Sequence, residues 1–145
     1  MGVLAISGSL RAESSNLRLL QTAAKLTALI IYDELSALPL FNPDDDDKPP
    51  EVVRRFRDAV RAADALLFST PEYAHGVPGA LKNALDWLVS AEGPIRKRAA
   101  VWNAASRVNY FAQPQLIEIL RTMNLRVVMD AARLGLKLTT PLQRS

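Results

Sequence analysis

Five short apolar runs alternate along the chain with segments whose apolar residues recur at helical spacing. Short apolar runs without polar interruption are typical of strands that are buried on both faces. The runs are Val3–Ile6, Leu29–Tyr32, Ala65–Phe68, Ala99–Trp102 and Val127–Met129. Strands that alternate with helices predict an α/β fold, a doubly wound parallel sheet with right-handed crossovers and helices on both faces. For five strands we expect the order 2-1-3-4-5, whose ligand crevice lies at the carboxyl ends of strands one and three.

Four helices are expected between these strands. Their inward-facing positions are Leu17, Leu20 and Ala24; Val52, Val53, Phe56 and Val60; Leu81, Leu85 and Leu88; and Leu116, Ile119, Leu120 and Met123. The third helix should run from about Ala80 to Val89, and the fourth should stop near Asn124. A doubly wound domain normally ends with a fifth helix, but residues 132–145 contain Gly135 and Pro141 and predict a poor one. We therefore expect the last helix to be missing, with either a partner subunit over the bare sheet or a terminal segment lost.

Length and composition favour one globular domain, residues 1–145, with 49% hydrophobic and 23% charged residues. No apolar run approaches the length of a membrane span, so we expect no membrane partner. Cysteine is absent, which excludes disulfides and a cysteine nucleophile and suits a reducing, cytoplasmic location. The single histidine, His75, cannot form a histidine cluster, and we expect no metal site.

The net charge of +3 does not indicate nucleic-acid binding, because the basic residues are dispersed among acids without interleaved aromatic residues. The largest basic group is expected on the solvated face of the second helix and consists of Arg54, Arg55, Arg57 and Arg61, with Glu51 and Asp58. An acidic loop, Asp44–Asp47, is expected to be exposed and mobile, with prolines that bar regular structure. With Lys48, it also spells a protease recognition sequence.

The turn between the first strand and the first helix is rich in hydrogen-bond donors. It contains the hydroxyls of Ser7, Ser9, Ser14 and Ser15, the guanidinium of Arg11, and Asn16. Helix N-terminal amides attract anions, and hydroxyls with one guanidinium suit a terminal phosphate. Capping by Ser14 or Ser15 is the alternative, but it leaves the other donors unexplained. The turn lacks the Gly-Lys-Ser/Thr of a nucleotide P-loop and the three glycines of a dinucleotide turn, so we favour a monophosphate.

A second unusual loop, Pro71–Gly79, follows the third strand. Because the expected strand order makes strands one and three neighbours, the carboxyl ends of both strands should bring the two loops together. The motifs in these loops are Gly8-Ser9-Leu10-Arg11 with Ser15-Asn16, Pro71-Glu72-Tyr73, and Val77-Pro78-Gly79 followed by Leu81-Lys82-Asn83 and Asp86-Trp87. Taken together, they resemble the NADPH-dependent FMN reductase family, which has a flavodoxin-like fold and includes quinone, chromate and azo-compound reductases.

The resemblance implies a site for non-covalently bound FMN. The phosphate would be held by Ser9, Arg11, Ser14, Ser15 and Asn16. The isoalloxazine ring would be lined by Pro71, Glu72, Tyr73, Ala74, His75 and Gly76, with Asn103 and Ser106 in the loop after strand four. Lys82, Asn83, Asp86 and Trp87 would fix the loop and the helix rather than touch reacting atoms. His75 would either contact the nicotinamide or acceptor or be an exposed loop residue.

The resemblance also implies the activity. NADPH or NADH would reduce the bound FMN, which would then reduce a quinone or similar acceptor by a ping-pong mechanism, without a catalytic side chain. Departures from the family include Ala74, where many relatives have asparagine, and a loop after strand four without glycine. Alternatives are a flavodoxin-type electron carrier and a flavin-free homologue that acts as an interaction protein. A receiver-type signalling domain is disfavoured because Ser7-Gly8-Ser9 and Ser69-Thr70 stand where it needs acids.

We also expect a homo-oligomer, a dimer or a tetramer. The third helix carries Leu81, Leu85, Trp87, Leu88 and Val89, more apolar surface than one sheet-facing stripe buries. A flavin at the mouth of two shallow loops would also need a wall on its open side, which a second subunit could supply.

Overall fold

A computed structural model of the protein describes residues 2–12, 14–89, 95–102 and 111–128, apart from the side chains of Ser15, Asn16 and Leu26. The strands are β1 (Val3–Ser7), β2 (Leu29–Ile31), β3 (Ala65–Ser69), β4 (Arg98–Trp102) and β5 (Arg126–Val127). The helices are α1 (Ser15–Leu26), α2 (Glu51–Ala62), α3 (Gly79–Leu88) and α4 (Ala112–Thr122). All four predicted helices and all five predicted strands are present, and the bounds that were predicted shift by at most two residues.

The strands form a single parallel sheet in the order β2-β1-β3-β4-β5, which confirms the predicted topology. At its carboxyl edge, Ser7 of β1 is paired with Ser69 of β3, and Ser69 is paired with Trp102 of β4. The strands β1, β3 and β4 therefore end side by side at the same edge of the sheet. The last strand begins one residue earlier than the predicted Val127, because Arg126 of β5 pairs with Arg98 of β4. Met129, the predicted end of this strand, lies outside the described residues.

Alternate residues of the strands face opposite sides of the sheet. Leu66 and Phe68 of β3 belong to a core shared with α2, α3 and α4. Ala65 and Leu67 belong to a second core that includes Leu20 of α1. Helices thus cover both faces, as predicted, and α1 is the one described helix on the second face. The predicted weakly helical tail, 132–145, lies outside the described residues.

The apolar residues of α3 are packed within the chain itself. Leu81, Leu85 and Trp87 have exposed fractions of 0–1%, and Leu88 is also buried. The expectation that this helix carries surplus apolar surface is therefore wrong, because the segment after β2 covers the outer side of α3. Only Val89, just past the helix, is largely exposed. None of the described helices is long and apolar enough to cross a membrane.

The acidic segment after β2 contains a regular turn that its composition did not predict. Pro43–Asp45 forms a 3-10 turn in which the side chain of Asn42 accepts a hydrogen bond from the amide of Asp44, at 3.0 Å. Pro43 begins this turn, where its missing amide proton has no cost. Asp44, Asp45 and Asp47 are exposed as predicted, whereas Asp46 is half-buried.

The partner of Asp46 is Arg57, which corrects a second expectation. Arg57 is expected on the solvated face of α2, but it is only 4% exposed. Its guanidinium forms a salt bridge with Asp46 and donates from Nε to the carbonyl oxygen of Trp87 at 2.8 Å. It also lies 5.7 Å from the centre of the Trp87 ring. A buried guanidinium is tolerated here because a carboxylate neutralises its charge.

Candidate functional site

The turn after β1 approaches β3 so closely that it requires glycine. The amide of Gly8 donates to the carbonyl oxygen of Ser69 at 2.7 Å, which extends the pairing of the two strands by one residue. A Cβ atom at Gly8 would lie 2.8 Å from Oγ1 of Thr70 and 3.1 Å from a methyl group of Leu81. The first contact is closer than a Cβ atom tolerates and the second is unusually tight, so a side chain here would force the turn or its neighbours to shift.

The serine hydroxyls stabilise the turn, and the hydroxyl of Ser7 itself donates to the carbonyl oxygen of Ser9 at 3.5 Å. The amide of Ser9 donates to Oγ of Ser7 at 3.3 Å, and the amide of Arg11 donates to Oγ of Ser9 at 3.2 Å. The hydroxyl of Ser9 accepts this bond as a lone pair, so its proton can still be donated to a ligand. The turn closes where the amide of Ser14 donates to the carbonyl oxygen of Arg11 at 3.3 Å.

Ser14 is the N-cap of α1. It has extended backbone angles, and its hydroxyl oxygen accepts from the amide of Leu17 at 2.9 Å. This confirms the capping alternative for Ser14 and still leaves its hydroxyl proton free to donate. The side chains of Ser15 and Asn16 are outside the described set, so their predicted phosphate contacts stay predictions.

Three further donors of this turn have no partner among the described residues. They are the exposed guanidinium of Arg11 and the amides of Leu10 and Ala12. An anion at the start of α1 would also meet the unpaired amides of the first helical turn. Hydroxyl protons, free amides and one guanidinium form a donor set that suits a phosphate dianion.

The loop after β3 folds into a two-residue hairpin. The amide of Tyr73 donates to the carbonyl oxygen of Gly76 at 3.2 Å, and the reverse bond measures 2.9 Å. The two central residues, Ala74 and His75, have φ angles of +50° and +59°. Hairpin turns with two left-handed residues normally use Asn-Gly, because other side chains are strained there. The hairpin thus has a shape that its own two central residues do not favour.

Glu72 was expected beside the flavin ring, but its carboxylate is engaged elsewhere. One of its oxygens accepts hydrogen bonds from the amides of Phe111, at 2.7 Å, and Ala112, at 2.6 Å. These amides open α4, so the carboxylate caps a helix whose N-terminal end favours negative charge. Glu72 can therefore offer a flavin its backbone but not a free carboxylate.

Two more contacts join the hairpin to α4. The imidazole of His75 stacks on the ring of Phe111, with ring centres 4.1 Å apart and an angle of 17° between the planes. Nε2 of Gln115 donates to the carbonyl oxygen of His75 at 3.0 Å. Sequence reasoning missed Phe111 and Gln115, because nothing in their spacing relates them to a loop some forty residues earlier. Asn103 and Ser106 lie outside the described residues.

The remaining family motif, on α3, stabilises the fold and does not contribute side chains to the edge of the candidate site. The side chain of Asn83 donates to the carbonyl oxygen of Pro39 at 2.9 Å, and Nε1 of Trp87 donates to the same oxygen at 2.8 Å. Lys82 and Asp86 pair with each other on α3 at 2.6 Å. Asn83 and Trp87 therefore hold the loop after β2, whereas they were expected to fix the loop after β3.

Comparisons with known proteins agree with this arrangement. Residues 1–135 match the family model described as NADPH-dependent FMN reductase. The chain is 49% identical over 89 residues to an NAD(P)H-dependent FMN reductase of Pseudomonas aeruginosa, an alignment that covers 59% of this chain and 48% of the relative. It is 47% identical over 89 residues to a quinone reductase of Pseudomonas putida, covering 58% and 47%. The chain thus spans about half the length of the curated relatives it matches.

A solved structure has the same fold. FerB, a flavoenzyme NAD(P)H:(acceptor) oxidoreductase from Paracoccus denitrificans, superposes with a TM-score of 0.80 at 32% identity. The match covers 90% of this chain and 76% of FerB. The described sheet is therefore that of a flavoenzyme fold, with the two loops at its carboxyl edge.

Proposed function

The chain belongs to the family of NADPH-dependent FMN reductases, and from this we propose that residues 1–145 form one FMN-binding domain of an NAD(P)H-dependent oxidoreductase. The observation that carries the proposal is the pairing of Ser7 with Ser69, which brings the donor-rich turn and the Tyr73–Gly76 hairpin to one edge of the sheet. In a doubly wound sheet, ligands bind at this edge.

Different residues of the chain would bind the phosphate and the ring of the cofactor. Ser9, Arg11 and Ser14, with the free amides beside them, would hold the phosphate of FMN. The hairpin would hold the ring, with the phenol of Tyr73 as an aromatic surface and the backbone as a source of hydrogen bonds. Bound FMN would supply the redox chemistry, which is hydride transfer from NADPH or NADH and electron transfer to an acceptor. The chain itself would bind and orient FMN and shield it from solvent.

A quinone or a related small molecule is the proposed acceptor, since relatives are named quinone reductase and NAD(P)H:(acceptor) oxidoreductase. We further propose a cytoplasmic location, supported by the lack of cysteine in all 145 residues. A homo-oligomer, dimer or tetramer, is proposed because large apolar side chains are exposed on the two loops.

FMN binding is tested first, by titrating flavin-free protein with FMN and following the quenching of flavin fluorescence. Arg11→Ala should weaken binding by about 1.5–3 kcal/mol, or roughly ten- to a hundred-fold in Kd, because it removes a charge-assisted contact with the phosphate. Arg121→Ala is the matched control, since Arg121 is an exposed arginine in the last turn of α4. Equal affinities of the two variants would remove Arg11 from the site.

The reaction is tested by steady-state kinetics. One crevice at the strand ends has to serve both the nicotinamide donor and the acceptor, so we expect ping-pong behaviour. Double-reciprocal plots of NAD(P)H oxidation at several quinone concentrations should be parallel, and intersecting lines would contradict a shared site. A chain that binds FMN but does not turn over NADPH or NADH would favour the electron-carrier alternative.

A further inference from the structure

Resting on the proposed function, we infer that Glu72 and Gln115 are positioning residues that hold the Tyr73–Gly76 hairpin in the shape that receives the flavin ring. Neither needs to touch the flavin. Glu72 precedes the hairpin and binds the first amides of α4 through its carboxylate. Gln115, one helical turn further along, binds the carbonyl oxygen of His75 inside the hairpin. The two contacts therefore fix one end and one corner of the hairpin to the same helix.

The hairpin needs such support because its turn sequence does not specify it. Ala74 and His75 both adopt left-handed backbone angles that Asn and Gly would adopt far more readily. Within the hairpin, the only described bonds are the two between Tyr73 and Gly76. A two-stranded hairpin of this size is marginal on its own. The contacts with α4 supply what the turn residues lack.

The carboxylate of Glu72 is suited to this role by its position. Two amides at a helix start have no partner within the helix, and an anion there interacts favourably with the helix dipole. One carboxylate oxygen accepts from both amides, at 2.7 and 2.6 Å. The stack of His75 on Phe111 then adds apolar contact on the same side. Loss of the carboxylate would free both the helix start and the hairpin.

The affinity for FMN depends on the fraction of molecules in which the hairpin has its binding shape. If only a fraction of molecules holds the hairpin in its binding shape, the apparent Kd rises by the inverse of that fraction. Glu72→Ala should therefore raise the Kd for FMN roughly ten-fold, since it removes two charge-assisted hydrogen bonds. Glu72→Gln keeps an acceptor oxygen and should lie between this variant and the wild type. Gln115→Ala, which removes one neutral bond, should raise the Kd roughly two- to ten-fold.

The experiment has two readouts. The first is hydrogen exchange of the Tyr73 and Gly76 amides in flavin-free protein, which should be roughly ten-fold faster in Glu72→Ala while the amide of Leu67 in β3 is unchanged. The second is the Kd for FMN from fluorescence titration. Glu118→Ala is the control, because it removes an exposed acid from the same helix and should change neither readout.

A rescue variant separates positioning from direct contact. Ala74→Asn places a residue that accepts left-handed angles in the turn, so it should restore most of the FMN affinity and slow exchange in the Glu72→Ala background. If Glu72→Ala weakens FMN binding without faster exchange at Gly76, or if Ala74→Asn restores nothing, the positioning role is wrong. Wild-type protein that does not bind FMN would contradict the proposed function, whereas equal binding by wild type and Glu72→Ala would contradict this inference alone.

Discussion

Tyr32 carries a buried phenol oxygen that has no hydrogen-bond partner in the part of the chain that the structure describes. Its ring packs on Phe56, with ring centres 4.7 Å apart. Burial, assisted by the charge of Glu34, raises the pKa of Tyr32 from 10.0 to about 12. A buried hydroxyl without a partner loses the hydrogen bonds that it makes to water in the unfolded chain. Tyr32 therefore contributes its ring to stability, while its hydroxyl opposes folding.

We predict that Tyr32→Phe maintains or increases the free energy of unfolding at pH 7, by up to about 1 kcal/mol. At higher pH the difference in the free energy of unfolding between the variant and the wild type should increase. The unfolded wild type releases the phenol proton near pH 10, whereas the folded protein keeps it to about pH 12, so wild-type stability falls between these values. The phenylalanine variant lacks this part of the decline.

Urea unfolding at pH 7, 10 and 11.5 measures this difference. Tyr73→Phe is the control, because the side chain of Tyr73 is 56% exposed and its loss of the hydroxyl should not alter stability at any of these pH values. A Tyr32→Phe variant that loses stability at pH 7 would mean that the hydroxyl has a stabilising partner after all.

Arg57 illustrates what residue type alone fails to predict. It is four residues from Val53 and three from Val60, both of which face the core, so helical spacing places it on the buried stripe of α2. Its charge nevertheless favoured a solvated position, because arginine is rarely buried without a partner. The partner, Asp46, belongs to a loop whose path the sequence pattern does not predict. The helical spacing of Arg57 thus predicts its burial correctly, whereas its charge favours the wrong, solvated position.

Among the elements, those with a strong apolar period were predictable and those shaped by distant contacts were not. The strands and helices follow from runs such as Ala65–Phe68 and stripes such as Val53, Phe56 and Val60. The hairpin at Ala74 and His75 does not, because its turn residues disfavour the observed angles and its support comes from α4. The same is true of the contact by which the carboxylate of Glu72 caps α4, because nothing in the sequence pattern relates the two segments.

The segment Pro43–Asp46 is held against α2 by the salt bridge between Asp46 and Arg57. We predict that this salt bridge limits local opening of the segment. Hydrogen exchange of an amide follows the population of the locally open form. Arg57→Met removes the partner of Asp46, so exchange of the Asp46 amide, which donates to the carbonyl oxygen of Pro43, should be roughly ten-fold faster in the native protein.

Arg54→Met is the matched control for this measurement. Arg54 lies on the same helix, is exposed, and pairs only with Glu51, in a surface salt bridge of 2.6 Å. Its loss should leave the exchange rate of the Asp46 amide unchanged. Urea unfolding of both variants distinguishes local opening from global instability. Equal exchange rates in the two variants at equal stability would contradict the role of Arg57 in holding the segment.

At the scale of the whole molecule, the two faces of the sheet differ in how they are covered. Three described helices, α2, α3 and α4, pack on one face, whereas α1 is the one described helix on the other. Trp102, at the carboxyl end of β4, is only partly buried on that second face. The apolar residues of α3 do not favour oligomerisation, since they are buried within the chain. Support for oligomerisation has to come from the loops.

The loops at the carboxyl edge of the sheet support oligomerisation, and we predict that the FMN-bound protein is at least a homodimer. Leu10, Tyr73 and Phe111 are 58%, 56% and 46% exposed, and they belong to the turn, the hairpin and the start of α4 that surround the proposed site. Apolar side chains gathered around a planar ligand favour association, most often through a two-fold axis.

Sedimentation at micromolar concentration with saturating FMN should therefore give at least twice the 15.9 kDa of one chain. Leu10→Ser should weaken this assembly, because it replaces an exposed apolar group at the proposed interface. Val89→Ser should not, although Val89 is equally exposed at 59%, because it follows the far end of α3, away from these loops. If both variants weaken association equally, the interface lies elsewhere. A 15.9 kDa monomer that still binds FMN would mean that one chain alone shields the flavin.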